Sequence, residues 1–228
     1  MNRDIAFAGG VSAVYDVILF DLDGTLIDSG EGVTNSVAYS LKKYGIIVKS
    51  REELYRFIGP PLHESYQKYF GFSEEQAKEA VTYYREYYRE RGIFENRIYN
   101  GIEETLETLL DRGKTLLVAT SKPELFAREI LWHMGLAKYF SYVAGANMDG
   151  TRTKKAEVIS YARSAAQISG QAAFVMVGDR EHDVLGAKEA GIDSVGVLYG
   201  YGDREELRRS GADYIIERPN ELLRLLFD

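Results

Sequence analysis

The sequence predicts an α/β protein: a doubly wound parallel sheet with a small all-helical domain inserted after its first strand. Three observations lead there. Six short apolar runs read as strands buried on both faces, four amphipathic stretches alternate with them, and one long segment after the first run contains no strand.

In chain order, residues 1–14 read as a loosely ordered lead-in, and "YDVILF" (15–20) as the first strand. The segment 30–96 then holds four helical stretches, "EGVTNSVAYSLKKYG", "SREELYRFIG", "PPLHESYQKYF" and "SEEQAKEAVTYYREYYRERG". The tyrosines of the last recur at four-residue spacing, which suits packing within the inserted domain. Polar, Gly-containing "DSGEG" and "ENRIYNG" bound the insert and serve as linkers. Residues 15–29 and 97–228 therefore form one discontinuous core. Within it, strands are expected at 114–120, 141–146, 172–179, 194–200 and 213–217, and helices at 102–113, 124–135, 155–167 and 183–191.

Composition narrows the function classes. With no cysteine in 228 residues, disulfides, cysteine-based zinc sites and thiol nucleophiles are excluded, which fits a cytoplasmic protein. A net charge of −7 argues against a nucleic-acid polymer as partner. No apolar run is long enough to span a bilayer, so a membrane is not expected as partner either.

In doubly wound sheets the ligand lies beyond the carboxyl ends of the strands. Four such ends carry reactive residue types here: Asp21 and Asp23, Thr120 and Ser121, Thr151 to Lys155, and Asp179 with Asp183. Asp21 and Asp23 joined by Asp179 would repel unless a cation neutralised them, and an all-oxygen cluster suits Mg²⁺ shared with a phosphate. With a phosphoryl group held there, Asp21 is placed to attack phosphorus and form an aspartyl phosphate. Asp23 would protonate the leaving oxygen, then deprotonate the attacking water. Gly24 lets the backbone approach the phosphate, the amides of the turn through Thr25 donate to it, and Thr120 adds a hydroxyl. A lysine at 154 or 155 supplies positive charge for the phosphoryl oxygens.

The ordered motifs "DLDGTLIDS", "VATSKP", "KAEVI" and "VGDREHDVLGAK", lying between residues 21 and 188, resemble those of haloacid dehalogenase-like hydrolases of the phosphatase branch. The resemblance implies a Rossmann-like core with a helical cap, and a small phosphorylated metabolite as substrate. It implies Asp21 as nucleophile and Asp23 as acid/base with its main-chain carbonyl on the metal. Thr120 and Lys155 become phosphate ligands beside Gly24, Thr25 and Ser121, and Asp179 a Mg²⁺ ligand supported by Asp183. Lys155, not Lys154, matches the lysine that opens the family's third-motif helix. "FIGPPLHESY" and "RIYNGIEETL" look most like the phosphoglycolate phosphatase and 5′-nucleotidase-like groups. The resemblance also places Gly59, Pro60, Pro61 and Leu62 over the active site, where they would select substrate. Asn100 departs from the proline that relatives often carry before the matching glycine, at the hinge.

Two other classes share parts of this pattern. A receiver-type signalling domain also has an acceptor aspartate, Mg²⁺, Thr and Lys, but it lacks a helical cap, and an acid like Asp23 would shorten the life of its phosphate. A phosphosugar mutase would return the phosphoryl group to substrate instead of water. His63, His133 and His182 show no ligand-like spacing, and Arg180 and His182 read as loop filler within the fourth motif.

Overall fold

Four consecutive apolar residues, Val17–Phe20, form strand β1, and all four are buried. A strand without polar alternation is one covered on both faces. The computed structural model describes residues 15–168 and 171–227, so the expected lead-in over 1–14 lies outside the described residues. Two compact units divide the chain, one formed by Ile27–Arg97 and the other by the segments on either side of it, up to Leu26 and from Ile98.

After β1 come strand β2 (Ile27–Asp28), helix α1 (Gly30–Lys42), a 3-10 helix (Glu52–Phe57), α2 (Leu62–Phe70), α3 (Glu74–Glu90) and strand β3 (Arg97–Ile98). The core continues with α4 (Ile102–Asp111), β4 (Thr115–Pro123), α5 (Glu124–His133), β5 (Tyr142–Ala146), α6 (Lys155–Ala165) and β6 (Phe174–Gly178). It closes with α7 (Glu181–Glu189), β7 (Asp193–Val197), α8 (Arg204–Ser210), β8 (Tyr214–Ile216) and α9 (Glu221–Phe227). Helices α8 and α9 have no counterpart in the sequence reading.

Six strands form one parallel sheet in the order β5-β4-β1-β6-β7-β8, while β2 and β3 pair separately. Val17 lies opposite Thr115 on one side and Phe174 on the other, so β1 is central. The chain lays β4 and β5 to one side of β1 and then returns to lay β6, β7 and β8 on the other. The strand order reverses between β1 and β6, and a crevice opens there at the carboxyl ends. On one face Val17, Leu19, Leu117 and Met176 pack against Val158, Ile159 and Ala162 of α6 and Ala187 of α7. Each large side chain so buried contributes roughly 1.5–3 kcal/mol by leaving water. This packing holds the strand ends rigid under the loops that follow them.

In the helical unit, α3 begins at a capping box in which Ser73 accepts from the Gln76 amide and Gln76 accepts from the Ser73 amide. Tyr84 and Tyr88 of α3 are buried and stack with ring centres 5.3 Å apart, the packing role expected for this tyrosine series. The expected helix at 50–59 is a 3-10 helix of six residues. Its backbone turns extended at Ile58, ahead of Gly59 and two prolines, and so short a piece settles into i to i+3 bonding. Among the described residues, no helix is long and apolar enough to cross a membrane.

Candidate active site

Asp21 follows β1 directly, and its amide donates to the Val177 carbonyl at 2.9 Å, extending the sheet by one bond. Asp179 stands in the matching place after β6, and Asp183 lies in the first turn of α7. All three are buried, and one carboxylate oxygen from each lies within 4.8 Å of the others. Lys155, the first residue of α6, reaches into this group. Its Nζ is 2.9 Å from Asp21 Oδ1 and 2.7 Å from Asp183 Oδ1, and it donates to the Ala119 carbonyl at 3.0 Å. Lys154 is exposed.

Three carboxylates around one ammonium leave an excess of negative charge. Burial pushes the Asp21 carboxyl up to about 6, with Lys155 opposing and Asp183 reinforcing the shift. Burial also holds Asp179 well above the usual carboxylate range, followed by the charges of Asp183 and Asp21, against a bond from the Tyr201 amide to Oδ2 at 2.7 Å. For Lys155, burial works against the charged form, but Asp183 and Asp21 outweigh it and the ammonium is held above its ordinary value. Asp183 Oδ2 accepts from the Arg180 amide at 3.1 Å. Asp179 Oδ1 is buried with no hydrogen-bond partner among the described residues. A hard divalent cation such as Mg²⁺ fits this all-oxygen donor set, its open oxygen and its charge excess.

The Asp23 carboxylate does not belong to that group. Both its oxygens face Lys122 Nζ, at 2.7 and 2.8 Å. Lys122 was absent from the residues expected at the site, and its only signal is a lysine two positions beyond the strand-end Thr120. Thr120 is buried, and its hydroxyl accepts from the Lys122 amide at 3.2 Å. Ser121, between them, is half-buried. Gly24 has φ +82°, and a Cβ there would stand 2.2 Å from Asp179 Oδ2, so two separate constraints require glycine. Thr25 is fully buried, with no hydrogen-bond partner for its hydroxyl among the described residues.

Gly59, Pro60, Pro61 and Leu62 belong to the helical unit, where they lead into α2 and are half-buried. None of the three histidines belongs to the acidic group. Arg180 is not loop filler. Its Nε donates to Glu206 Oε1 at 2.8 Å, and the same oxygen accepts from the Glu181 amide, which ties the fourth-motif loop to α8.

Residues 18–197 match the family described as haloacid dehalogenase-like hydrolase. The chain is 47% identical over 194 residues to a Pseudomonas aeruginosa 5′-nucleotidase, covering 85% of this chain and 87% of that one. It is 41% identical over 186 residues to the tyrosine-protein kinase PtkA of Mycobacterium tuberculosis, covering 82% of this chain and 63% of PtkA. A Vibrio parahaemolyticus phosphoglycolate phosphatase is 30% identical over 218 residues, with 92% and 95% covered. Among solved structures, a predicted phosphatase from Clostridium acetobutylicum superposes with a TM-score of 0.90 at 47% identity, covering 93% of this chain and 98% of that one.

Proposed function

The chain belongs to the haloacid dehalogenase-like hydrolase family, and from that premise we propose that it is a Mg²⁺-dependent phosphatase acting on a small phosphomonoester through an aspartyl phosphate on Asp21. One observation carries the reading: the buried cluster of Asp21, Asp179, Asp183 and Lys155 at the strand ends, with an excess of negative charge and one carboxylate oxygen left open.

Asp21 and Asp179, with the main-chain carbonyl of Asp23, would hold Mg²⁺, and Asp183 would support them. Bound there, the ion supplies positive charge to the phosphoryl oxygens. Lys155, Thr120, Ser121 and the Gly24–Thr25 turn add donors for the same oxygens. With its carboxyl near 6, Asp21 is mostly ionised at pH 7 and ready to attack phosphorus. The bond from phosphorus to the leaving oxygen breaks, and Asp23 gives that oxygen its proton. Water then attacks the aspartyl phosphate and loses a proton to Asp23, and inorganic phosphate leaves as the bond to Asp21 breaks.

The substrate class follows the relatives named 5′-nucleotidase and phosphoglycolate phosphatase: a nucleoside monophosphate or a compact organic phosphate. Choice between them is assigned to the helical unit, with Gly59–Leu62 as the segment that selects. Phosphate release from phosphoglycolate, nucleoside monophosphates, sugar phosphates, pyrophosphate and phosphotyrosine, with and without Mg²⁺, tests the reading. Release should need Mg²⁺ and vanish in Asp21→Asn, and a wild-type rate in that variant overturns it. The likeness to a protein named a tyrosine kinase favours a second reading, in which the phosphoryl group passes to an acceptor other than water, as in a mutase. A phosphorylated product in place of inorganic phosphate would establish it.

A further inference from the structure

We infer that Lys122 is a positioning residue for the reaction: it fixes the orientation of the Asp23 carboxylate. The inference rests on the acid/base role given to Asp23 above.

Both oxygens of Asp23 accept from a single ammonium, at 2.7 and 2.8 Å, and the two side chains are only 7% and 10% exposed. One ammonium at nearly equal distance from both oxygens fixes the direction in which the carboxylate faces as well as its distance. Asp23 lies three residues beyond the end of the first strand, and Lys122 is the partner of both its carboxylate oxygens. A buried pair of this kind gives little net stability, because desolvation offsets the attraction. Its use is therefore orientation, which general acid/base catalysis demands.

The backbone beneath Lys122 is built to hold that ammonium still. Strand β4 runs in register with β5 to Ala119, breaks register, and rejoins at Pro123 opposite Ala146. Lys122 sits in the break. Gly145 of β5 lets the chain pass close by, since a Cβ there would stand 2.6 Å from the Lys122 carbonyl and 2.7 Å from Glu124 N and Cα. Glu124, two residues on, is clamped from both sides. Its Oε1 accepts from Arg128 at 3.0 Å and its Oε2 from Arg152 at 3.1 Å. Arg128 also donates to the Val143 carbonyl, and Arg152 to the Gly145 carbonyl. The irregular stretch is thus pinned to β5 at Pro123, Gly145 and Glu124, and the lysine extends from a fixed base to its partner 99 residues away in sequence.

The test compares Lys122→Met, Lys122→Arg, Asp23→Asn and the Lys122→Met/Asp23→Asn double variant in the full-length protein with Mg²⁺. Steady-state turnover of the preferred alkyl phosphate is measured together with single-turnover hydrolysis of the aspartyl phosphate. Lys122→Met should lower kcat by about 10²-fold, the range general acid/base groups supply, with KM within about twofold. Lys122→Arg should recover part of the loss. In the Asp23→Asn background, Lys122→Met should slow hydrolysis no further, because its partner is already gone. The inference is overturned if Lys122→Met keeps a wild-type kcat, if it raises KM alone, or if its effect multiplies with that of Asp23→Asn. Should Lys122→Met fail to fold, Lys122→Gln and Lys122→Arg decide by the same criteria. Wild-type turnover in Asp23→Asn overturns the acid/base role itself, an outcome distinct from an impaired Asp23→Asn beside an unimpaired Lys122→Met.

Discussion

Lys155 and Asp183 form an ion pair of 2.7 Å in which each side chain is 3% exposed, and the same ammonium meets Asp21 at 2.9 Å. Removing it strands two carboxylates in the protein interior. Lys155→Met should therefore lose activity and destabilise the metal-free fold by about 3–5 kcal/mol, the cost of breaking a buried pair from one side. Urea unfolding in the presence of a chelator measures it, and a loss under about 1 kcal/mol would count against the charge balance described here. Asp21→Asn should show the opposite: turnover gone, stability kept or slightly raised, since Lys155 retains Asp183.

Asp21 and Asp179 are both held above the ordinary carboxylate value near 4, Asp21 at about 6. Across that window the folded protein keeps protons that the unfolded chain has released, so stability falls as pH rises. For Asp21 the contribution is fully present below about pH 4 and lost by about pH 6, and Asp179 contributes in the same direction. Thermal unfolding midpoints with a chelator should decline through this range, and Asp179→Asn should flatten the decline. Saturating Mg²⁺ should flatten it as well, because a bound cation favours the ionised carboxylates.

Asp23→Asn separates the two halves of the proposed reaction. An activated leaving group such as p-nitrophenolate departs without a proton, so the aspartyl phosphate should still form, but it should be hydrolysed slowly without a base. Stopped-flow absorbance should show a burst of nitrophenolate and then a slow phase. No burst, and no covalent phosphate by mass spectrometry, would mean that Asp23 serves chiefly to hold the metal.

Gly24→Ala meets two obstacles at once, a φ of +82° and a Cβ 2.2 Å from Asp179 Oδ2. The turn and the carboxylate cannot both stay in place. The variant should cost about 1–3 kcal/mol in strain and weaken Mg²⁺ binding at least about tenfold by calorimetry.

Strands β1 and β6 were legible because each is a run of buried apolar residues ending in an acid, Asp21 or Asp179, and burial on both faces leaves no other pattern. Helices α8 and α9 were not, because seven residues make under two helical turns and show too little periodicity to be read. At the site, the residue types legible in sequence were those whose chemistry is unusual at a strand end. Lys122 was missed because its one local signal, a lysine two positions beyond Thr120, does not show its partner. Its meaning lies in Asp23, 99 residues earlier, and Arg180 likewise depends on Glu206, 26 residues later. Pairings across that distance exist only once the sheet order has brought the loops together.

The clamp on Glu124 has a second consequence, for solubility. Strand β5 is the outermost strand of its sheet, and an open margin of this kind offers a template on which a second chain can add. Here the outward carbonyls of Val143 and Gly145 are already taken by the guanidinium groups of Arg128 and Arg152, and the Gly145 amide faces Glu124. A chain arriving along β5 would have to strip charged groups from their partners before forming its first backbone bond, so the brace beneath Lys122 also guards this margin against aggregation.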